Sequence, residues 1–315
     1  MLKLKIKIQF FSYVMMENIV KFYGIIPPIP TPFDLDGNVD FDAFKDEVRR
    51  YMNIGVNGIV IGGSTGEGHT LLDSEIKELL EIASELKKEN FTLIAGIIVN
   101  STYQALHRIN QLKKLESIDA FMITPPHYIF NNGDEGIYWF YREIYEKTKV
   151  PIIIYNVIPW NMASPTVIEK LAKEGVIVGV KQSGGEIHIL ADILARTKGS
   201  IAVLSAIDDL LYPSFVLGAH GSIAAANTIL PKTSLKLFRA VKDNDLSTAR
   251  KIHEEILPII NAVIRQPDAP SRIKFVMNNA GWKVGYPRKP LMEPTGDLKT
   301  ALLKIANEIK KLEEE

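Results

Sequence analysis

The sequence alternates eight times between a short apolar run and a longer amphipathic stretch, and this alternation limits the folds open to the chain. Short apolar runs bounded by turn residues are typical of buried parallel strands, whereas apolar residues at helical spacing predict amphipathic helices. The predicted strands are Gly24–Thr31, Gly58–Ile61, Thr92–Gly96, Ala120–Ile123, Ile152–Asn156, Val176–Lys181, Ile201–Leu204 and Gly221–Ala224. The helices predicted between and after them are Phe41–Asn53, Ser74–Lys88, Thr102–Lys114, Glu135–Lys147, Ser164–Glu174, Ile187–Thr197, Leu210–Leu217 and Pro231–Asp243.

Eight strands, each followed by a helix, predict an α/β fold of the (β/α)₈ TIM barrel type. A doubly wound open sheet is the alternative, but no G-x-G-x-x-G follows the first strand, which carries prolines instead. Beyond Asp243 only helical patterns remain, so we expect an N-terminal extension (1–20), a barrel (21–243) and a C-terminal helical extension (244–315). The helices predicted in the C-terminal extension are Leu246–Ile264, Ala269–Ala280 and Leu298–Leu312.

The first ten residues, MLKLKIKIQF, alternate strictly between apolar residues and polar ones, mostly lysines. A signal peptide would need an uninterrupted apolar segment and a small-residue cleavage site, and this stretch has neither. The alternation suggests an exposed strand. We favour the simpler interpretation that Met15 or Met16 is the working start, and we assign the segment no function.

Composition excludes several classes of partner. Lys+Arg and Asp+Glu both number 37, so no basic excess points to nucleic acid or to an anionic membrane surface. No apolar run reaches ~18 residues, so no membrane span is expected, and we expect a cytoplasmic protein. The chain has no cysteine, and its six histidines show no metal-ligand spacing. We therefore expect neither a thiolate nucleophile nor a metal site.

The strand predicted over Val176–Lys181 ends in a lysine, which is an unusual residue for the end of a buried strand. Lysine is rarely buried without a partner, and a lysine amine that has lost its proton is a nucleophile that can form a Schiff base with a ketone. Alternatively, Lys181 simply extends its charged end into water. On this strand alone the second interpretation is the more common one.

The segments that follow the other strands matter because catalysis in such barrels occurs at the carboxyl ends of the strands. The loop Gly62–Gly68 has four glycines around two hydroxyl residues, so its backbone N–H groups can approach an anion closely. No Gly-Lys-Ser/Thr follows, so a carboxylate or carbonyl oxygen fits this loop better than a phosphate. A glycine-rich turn without a ligand is the structural alternative.

Tyrosines follow two strands, and a pair of aspartates follows another. Tyr128 and Tyr155 could present their hydroxyls to a cleft, although either is more often structural than catalytic. Asp208 and Asp209 follow the seventh predicted strand and could instead cap the next helix. None of these residues identifies a chemistry by itself.

Three motifs together resemble a known family. GGSTGEG at 62–68, YNVIP at 155–159 and GVKQSGG at 179–185 resemble the dihydrodipicolinate synthase / N-acetylneuraminate lyase family of class I aldolases. The resemblance extends from about Gly24 to about Pro290. It implies a (β/α)₈ barrel with a C-terminal helical extension, and an enzyme that joins a lysine to pyruvate or another 2-oxo acid as a Schiff base. It also implies a small aldehyde as second partner, no metal or organic cofactor, and a homodimer or homotetramer.

The resemblance implies a role for each matching position. Lys181 corresponds to the Schiff-base lysine, and Tyr155 corresponds to the tyrosine that moves protons to and from the substrate hydroxyl. Ser64 joins them in a proton relay, which Tyr128 of a neighbouring subunit completes in many members. The residues implied to bind substrate are Gly63, Ser64, Thr65, Ser183, Asp208, Asp209 and Ile223, the last through its backbone carbonyl.

One departure from the family pattern bears on the substrate. The synthase branch has an arginine shortly after its Tyr-Asn-Val-Pro, and this arginine holds the carboxylate of the aldehyde. Residues 155–162 have an inserted residue and no arginine, whereas Ser183, Asp208 and Asp209 resemble the lyase branch. We therefore expect a lyase acting on a 2-oxo-3-deoxy sugar acid or a similar hydroxylated 2-oxo acid. The alternatives are 4-hydroxy-tetrahydrodipicolinate synthase (pyruvate plus aspartate semialdehyde), a dehydratase of the same family, and a non-catalytic 2-oxo acid binding barrel.

Overall fold

A computed structural model, which describes residues 21–184 and 186–314, confirms the barrel predicted from the sequence. All strand pairs are parallel, and the strands follow the order β1-β8-β7-β6-β5-β4-β3-β2. The ring closes where the Val60 N–H donates to the Pro27 carbonyl at 2.9 Å, just after β1. The strands are β1 Gly24–Ile25, β2 Gly58–Ile61, β3 Thr92–Ile97, β4 Ala120–Ile123, β5 Ile152–Asn156, β6 Gly179–Gln182, β7 Ala202–Ser205 and β8 Gly221–Ser222.

Helices follow the strands and surround the barrel. Helices α1 to α9 are Phe41–Ile54, Asp73–Leu86, Thr102–Leu112, Gly133–Thr148, Pro165–Lys173, Ile187–Thr197, Leu211–Val216, Ala226–Ile229 and Pro231–Lys242. Three more helices follow: α10 Leu246–Val263, α11 Ala269–Asn279 and α12 Gly296–Glu314. No helix within the described residues is long and apolar enough to cross a membrane.

The predicted element boundaries differ from the observed ones where local chemistry intervenes. The first strand stops after Ile25 because Pro27 and Pro28 have no N–H to donate to a ladder. The sixth strand begins at Gly179, since Val176 instead donates its N–H to the Leu171 carbonyl at 2.9 Å and so closes the end of α5. The short helix α8 was not predicted. The N-terminal extension and Gly185 lie outside the described residues.

Two apolar clusters separate the inside of the barrel from its outer shell. The interior cluster includes Ile153, Tyr155, Ala202 and Leu204, whereas Val180 packs in the larger cluster between strands and helices. Because side chains alternate along a strand, the neighbours of Val180 in β6 point to the interior. This alternation directs Lys181 into the barrel.

Candidate active site

Lys181 lies inside the barrel, near the carboxyl end of β6. Its strand register sets it opposite Tyr155 of β5 and Leu204 of β7, both members of the interior cluster. The residue is only 4% exposed. Its Nζ lies 3.8 Å from the centroid of the Tyr155 ring, a distance at which a ring face attracts an ammonium group. Among the described residues, Lys181 Nζ has no hydrogen-bond or ion-pair partner, so the amine is available to a ligand.

The hydroxyl of Tyr155 lies 3.0 Å from Ser64 Oγ, and either group can donate. Tyr155 is buried, while Ser64 is exposed at the mouth of the barrel. The contact therefore joins the end of β5 to the loop after β2. With Lys181 against the same ring, three strands bring together an amine, a phenol and an alcohol, which is a set that can move protons near a nucleophile.

The loop Gly62–Gly68 turns tightly back on itself. The Glu67 and Gly68 amides donate to the carbonyls of Ser64 and Gly63, each at 3.0 Å. A Cβ on Gly68 would lie 1.9 Å from the Gly62 carbonyl oxygen, so only glycine fits there. Within the described residues, the amides of Ser64 and the half-buried Thr65 donate to no protein acceptor. They remain free to bind an oxygen of a ligand.

The carboxylates of Asp208 and Asp209 have different partners, although the two residues are adjacent. Asp208 Oδ1 accepts a hydrogen bond from the Ala226 N–H at 2.7 Å. Burial raises the pKa of Asp208 to about 6, and this hydrogen bond and the positive charge of Lys181 oppose that shift. Asp209 instead forms an ion pair with Arg265, just beyond α10. Asp208 thus lies within electrostatic range of Lys181.

The remaining predicted substrate-binding residues follow β6 and β8. Ser183 is half-buried, and its N–H donates to the Asn156 carbonyl at 3.1 Å. Ile223 is buried in the interior cluster, and its N–H donates to the Ser205 carbonyl at 3.0 Å. Both residues therefore lie at the same end of the barrel as Ser64.

Tyr128 lies apart from the other predicted residues. It is 61% exposed, and its ring packs against Phe130 with the centroids 5.8 Å apart. Its N–H donates to Asn100 Oδ1 at 2.8 Å, which fixes the backbone of the loop. Within the part of this chain that the structure describes, its hydroxyl makes no hydrogen bond to Tyr155 or Ser64.

Sequence reasoning missed the amide that supports Tyr155. The buried Asn156 donates to Gln182 Oε1 at 2.9 Å and to the Ala163 carbonyl at 3.1 Å, and its Oδ1 accepts from the Ala163 N–H at 2.8 Å. These bonds tie β5 to β6 and hold the loop after Tyr155 against the barrel. An asparagine at the end of an apolar strand was the available signal, because a buried amide needs partners.

A metal site is not apparent at this end of the barrel or elsewhere in residues 21–184 and 186–314. Within these ranges, no group of three or more His, Asp or Glu side chains could hold a metal ion. The polar groups around Lys181 are instead a phenol, hydroxyls, backbone amides and a carboxylate.

Comparisons with known proteins agree with this geometry. A family model described as the dihydrodipicolinate synthetase family matches residues 21–309. A 4-hydroxy-tetrahydrodipicolinate synthase of Methanopyrus kandleri is 31% identical over 294 residues, which cover 92% of this chain and 96% of that protein.

Two solved structures extend the comparison. Dihydrodipicolinate synthase of Acinetobacter baumannii, complexed with pyruvate, is 27% identical with a TM-score of 0.85, covering 91% of this chain and 98% of its own. Sialic acid aldolase of Ruminococcus gnavus has a TM-score of 0.86, covering 93% of this chain and 99% of its own. At 22% identity the aldolase shares the fold, and the likeness says nothing further.

Proposed function

We propose that this chain, which belongs to the dihydrodipicolinate synthetase family, acts as a lyase through a Schiff base between Lys181 and a 2-oxo acid. The observation that carries the proposal is the position of Lys181 Nζ, inside the barrel and 3.8 Å from the ring centroid of Tyr155. The contact between Tyr155 and Ser64 supplies a proton path beside that amine. Pyruvate is the simplest 2-oxo acid that this arrangement suits.

Catalysis starts with attack of the neutral Lys181 amine on the C2 carbonyl of the 2-oxo acid. Loss of water then gives an imine. The free amides of Ser64 and Thr65 bind the carboxylate and orient the carbonyl for this attack. Once protonated, the imine withdraws electrons from the neighbouring carbon.

In the cleavage direction, Tyr155 accepts the proton of the substrate's C4 hydroxyl, and Ser64 passes it onward. The C3–C4 bond then breaks, its electron pair moves to C3 as an enamine, and the C4 fragment leaves as an aldehyde. Protonation at C3 and hydrolysis of the imine release the shortened 2-oxo acid and restore the amine. Synthesis of the carbon–carbon bond is the same sequence in reverse.

We favour a hydroxylated substrate, such as a 2-oxo-3-deoxy sugar acid. The segment after Tyr155 offers no cation to an anionic aldehyde, since residues 157–162 contain no arginine or lysine. Its Asn161 side chain is already bonded to the Pro126 carbonyl and to Asn132, both at 2.7 Å. Above a pH of about 6, Asp208 is a carboxylate, which accepts hydrogen bonds from hydroxyl groups.

The second candidate is the synthase reaction of pyruvate with aspartate semialdehyde. The Methanopyrus kandleri relative is named 4-hydroxy-tetrahydrodipicolinate synthase, and the match covers almost the whole length of both proteins. This name favours the synthase reaction. The absence of an arginine from residues 157–162 argues against the synthase reaction. A point charge or a neutral group does not replace a bidentate guanidinium–carboxylate contact.

We also propose that two chains complete each other's sites. Tyr128, Ile129 and Phe130 are 61%, 69% and 68% exposed, which is a large apolar area for one loop. A homodimer, or a homotetramer built from two such dimers, would cover these side chains. Tyr128 of one chain would then reach the Tyr155–Ser64 pair of its neighbour.

A substrate panel separates the two candidate reactions. With a 2-oxo-3-deoxyhexonate, we expect pyruvate release at a kcat/KM at least about tenfold above that of condensation between pyruvate and aspartate semialdehyde, because a lost ionic contact costs on this scale. Pyruvate release is measured with lactate dehydrogenase, and Lys181→Ala is the blank for both assays. Faster condensation with the semialdehyde would favour the synthase instead.

Replacement of Tyr155 by phenylalanine tests the proton path. Tyr155→Phe keeps the ring beside Lys181 but removes the hydroxyl, so kcat should fall roughly 10²–10⁴-fold, the usual contribution of a positioned proton-transfer group. Tyr51→Phe is the matched control, since it removes a buried hydroxyl that donates to the Thr228 carbonyl at 2.9 Å. Normal turnover by Tyr155→Phe would show that the phenol only packs.

Mixing two inactive variants tests the shared site. A dimer of one Tyr128→Phe chain and one Lys181→Ala chain has one doubly defective site and one intact site. After chain exchange in an equal mixture, activity should return in roughly a quarter of all sites, as random pairing within a two-fold dimer requires. Hetero-dimers seen by native mass spectrometry without activity would rule out a shared Tyr128.

A further inference from the structure

A buried ion pair joins the loop at the active site to the C-terminal helices. Glu67 lies in the loop Gly62–Gly68, and Lys274 lies on α11, more than two hundred positions later in the chain. Lys274 Nζ is 2.6 Å from Glu67 Oε1, and the two side chains are 1% and 0% exposed. Lysine and glutamate are almost never buried to this extent unless they are paired. The loop is thus held to a helix outside the ring of strands.

Neighbouring groups satisfy the rest of this pair. Lys274 Nζ also donates to the Tyr286 carbonyl at 2.7 Å, and the Arg288 N–H donates to Glu67 Oε2 at 2.9 Å. Lys274 Nζ and the Arg288 guanidinium carbon lie 4.2 Å and 4.1 Å from the ring centroid of Phe33. The ion pair at Oε1 and the hydrogen bond at Oε2 restrict the position of the Glu67 carboxylate.

The backbone of Glu67 carries this restraint to Ser64. Glu67 adopts a left-handed conformation with φ of 53°, which is costly for a residue other than glycine and persists only where surrounding contacts hold it. In that conformation its N–H donates to the Ser64 carbonyl at 3.0 Å. Ser64 in turn contacts the Tyr155 hydroxyl. A continuous set of contacts therefore extends from Lys274 to the phenol beside Lys181.

The charges of Glu67 and Lys274 also favour a firm contact between the loop and α11. Burial and, to a smaller extent, the Arg288 charge lower the pKa of Lys274, the Glu67 carboxylate opposes both, and the net result is a pKa of about 8. The Glu67 carboxylate, 2.6 Å from Lys274 Nζ, favours the protonated lysine and so supports the ion pair. Removing one partner would leave an uncompensated buried charge, whereas removing both charges is far less disruptive.

We propose that Glu67 and Lys274 are positioning residues, which hold the amides of Ser64 and Thr65 in place for the carboxylate of the 2-oxo acid. The inference rests on the function proposed above, since it assigns that carboxylate to this loop. It gives the C-terminal helices a part in substrate binding although they contribute no group that touches substrate.

The test compares Glu67→Gln, Lys274→Met and the double variant of both with the wild-type enzyme. The double variant matters most, because it should unfold at a urea concentration close to that of the wild type. In all three variants, hydrogen exchange of the peptide covering residues 60–71 should be at least about tenfold faster without ligand. KM for pyruvate should rise by at least about tenfold, because binding of the pyruvate carboxylate is weakened. This rise should be larger than the fall in kcat.

Glu47→Gln is the matched control. Glu47 is 3% exposed and is paired with Arg50 at 3.1 Å on α1, and no hydrogen bond or ion pair joins either side chain to the loop 62–68 within the described residues. This variant should lose stability while loop exchange and KM stay within about twofold of wild type.

The outcomes separate this inference from the proposed function. Wild-type exchange and KM in the double variant would overturn the positioning role, even if both single variants fail to fold. A loosened loop in an enzyme that does not react with pyruvate would overturn the proposed function, and with it the assignment of the carboxylate to this loop. If Glu47→Gln changed loop exchange and KM as much as the test variants do, the Glu67–Lys274 pair would contribute only to general stability. This result would also overturn the inference.

Discussion

The contact between the Lys181 amine and the Tyr155 ring depends on the register of two neighbouring strands. Tyr155 and Lys181 are paired across β5 and β6, and a shift of one residue would turn either side chain out of the barrel. The buried bonds among Asn156, Gln182 and Ala163 secure this register at the mouth of the barrel. The proposed nucleophile and its acid–base partner are therefore placed by the pairing of strands rather than by a flexible loop.

Residues 21–184 and 186–314 contain two buried lysines, Lys181 and Lys274, and their surroundings assign them different roles. Burial lowers the pKa of Lys274, which by itself would suggest a nucleophile. However, it is enclosed by Glu67, the Tyr286 carbonyl and the ring of Phe33. Lys181 faces the barrel interior, and its amine has no hydrogen-bond or ion-pair partner among the described residues. Access and geometry therefore favour Lys181 as the reactive group.

Local sequence patterns were sufficient for the barrel and for the residues at the ends of its strands. Short apolar runs predicted β2, β4 and β5 with their observed boundaries. The resemblance of three motifs pointed to Lys181, Tyr155 and Ser64. The pair of Glu67 and Lys274 could not be predicted, because nothing near either residue marks a partner so distant in the chain. The different partners of Asp208 and Asp209 could not be predicted either, since these partners are Ala226 and Arg265, which lie in other parts of the chain.

Reductive trapping tests the central claim most directly. The wild-type protein is incubated with pyruvate and sodium borohydride, and the modified lysine is located by peptide mass mapping. The account predicts a pyruvate-derived adduct on Lys181 and an unmodified Lys274, because only the first amine is open to a ligand. An adduct on Lys274 or on any other lysine, with Lys181 unmodified, would contradict it.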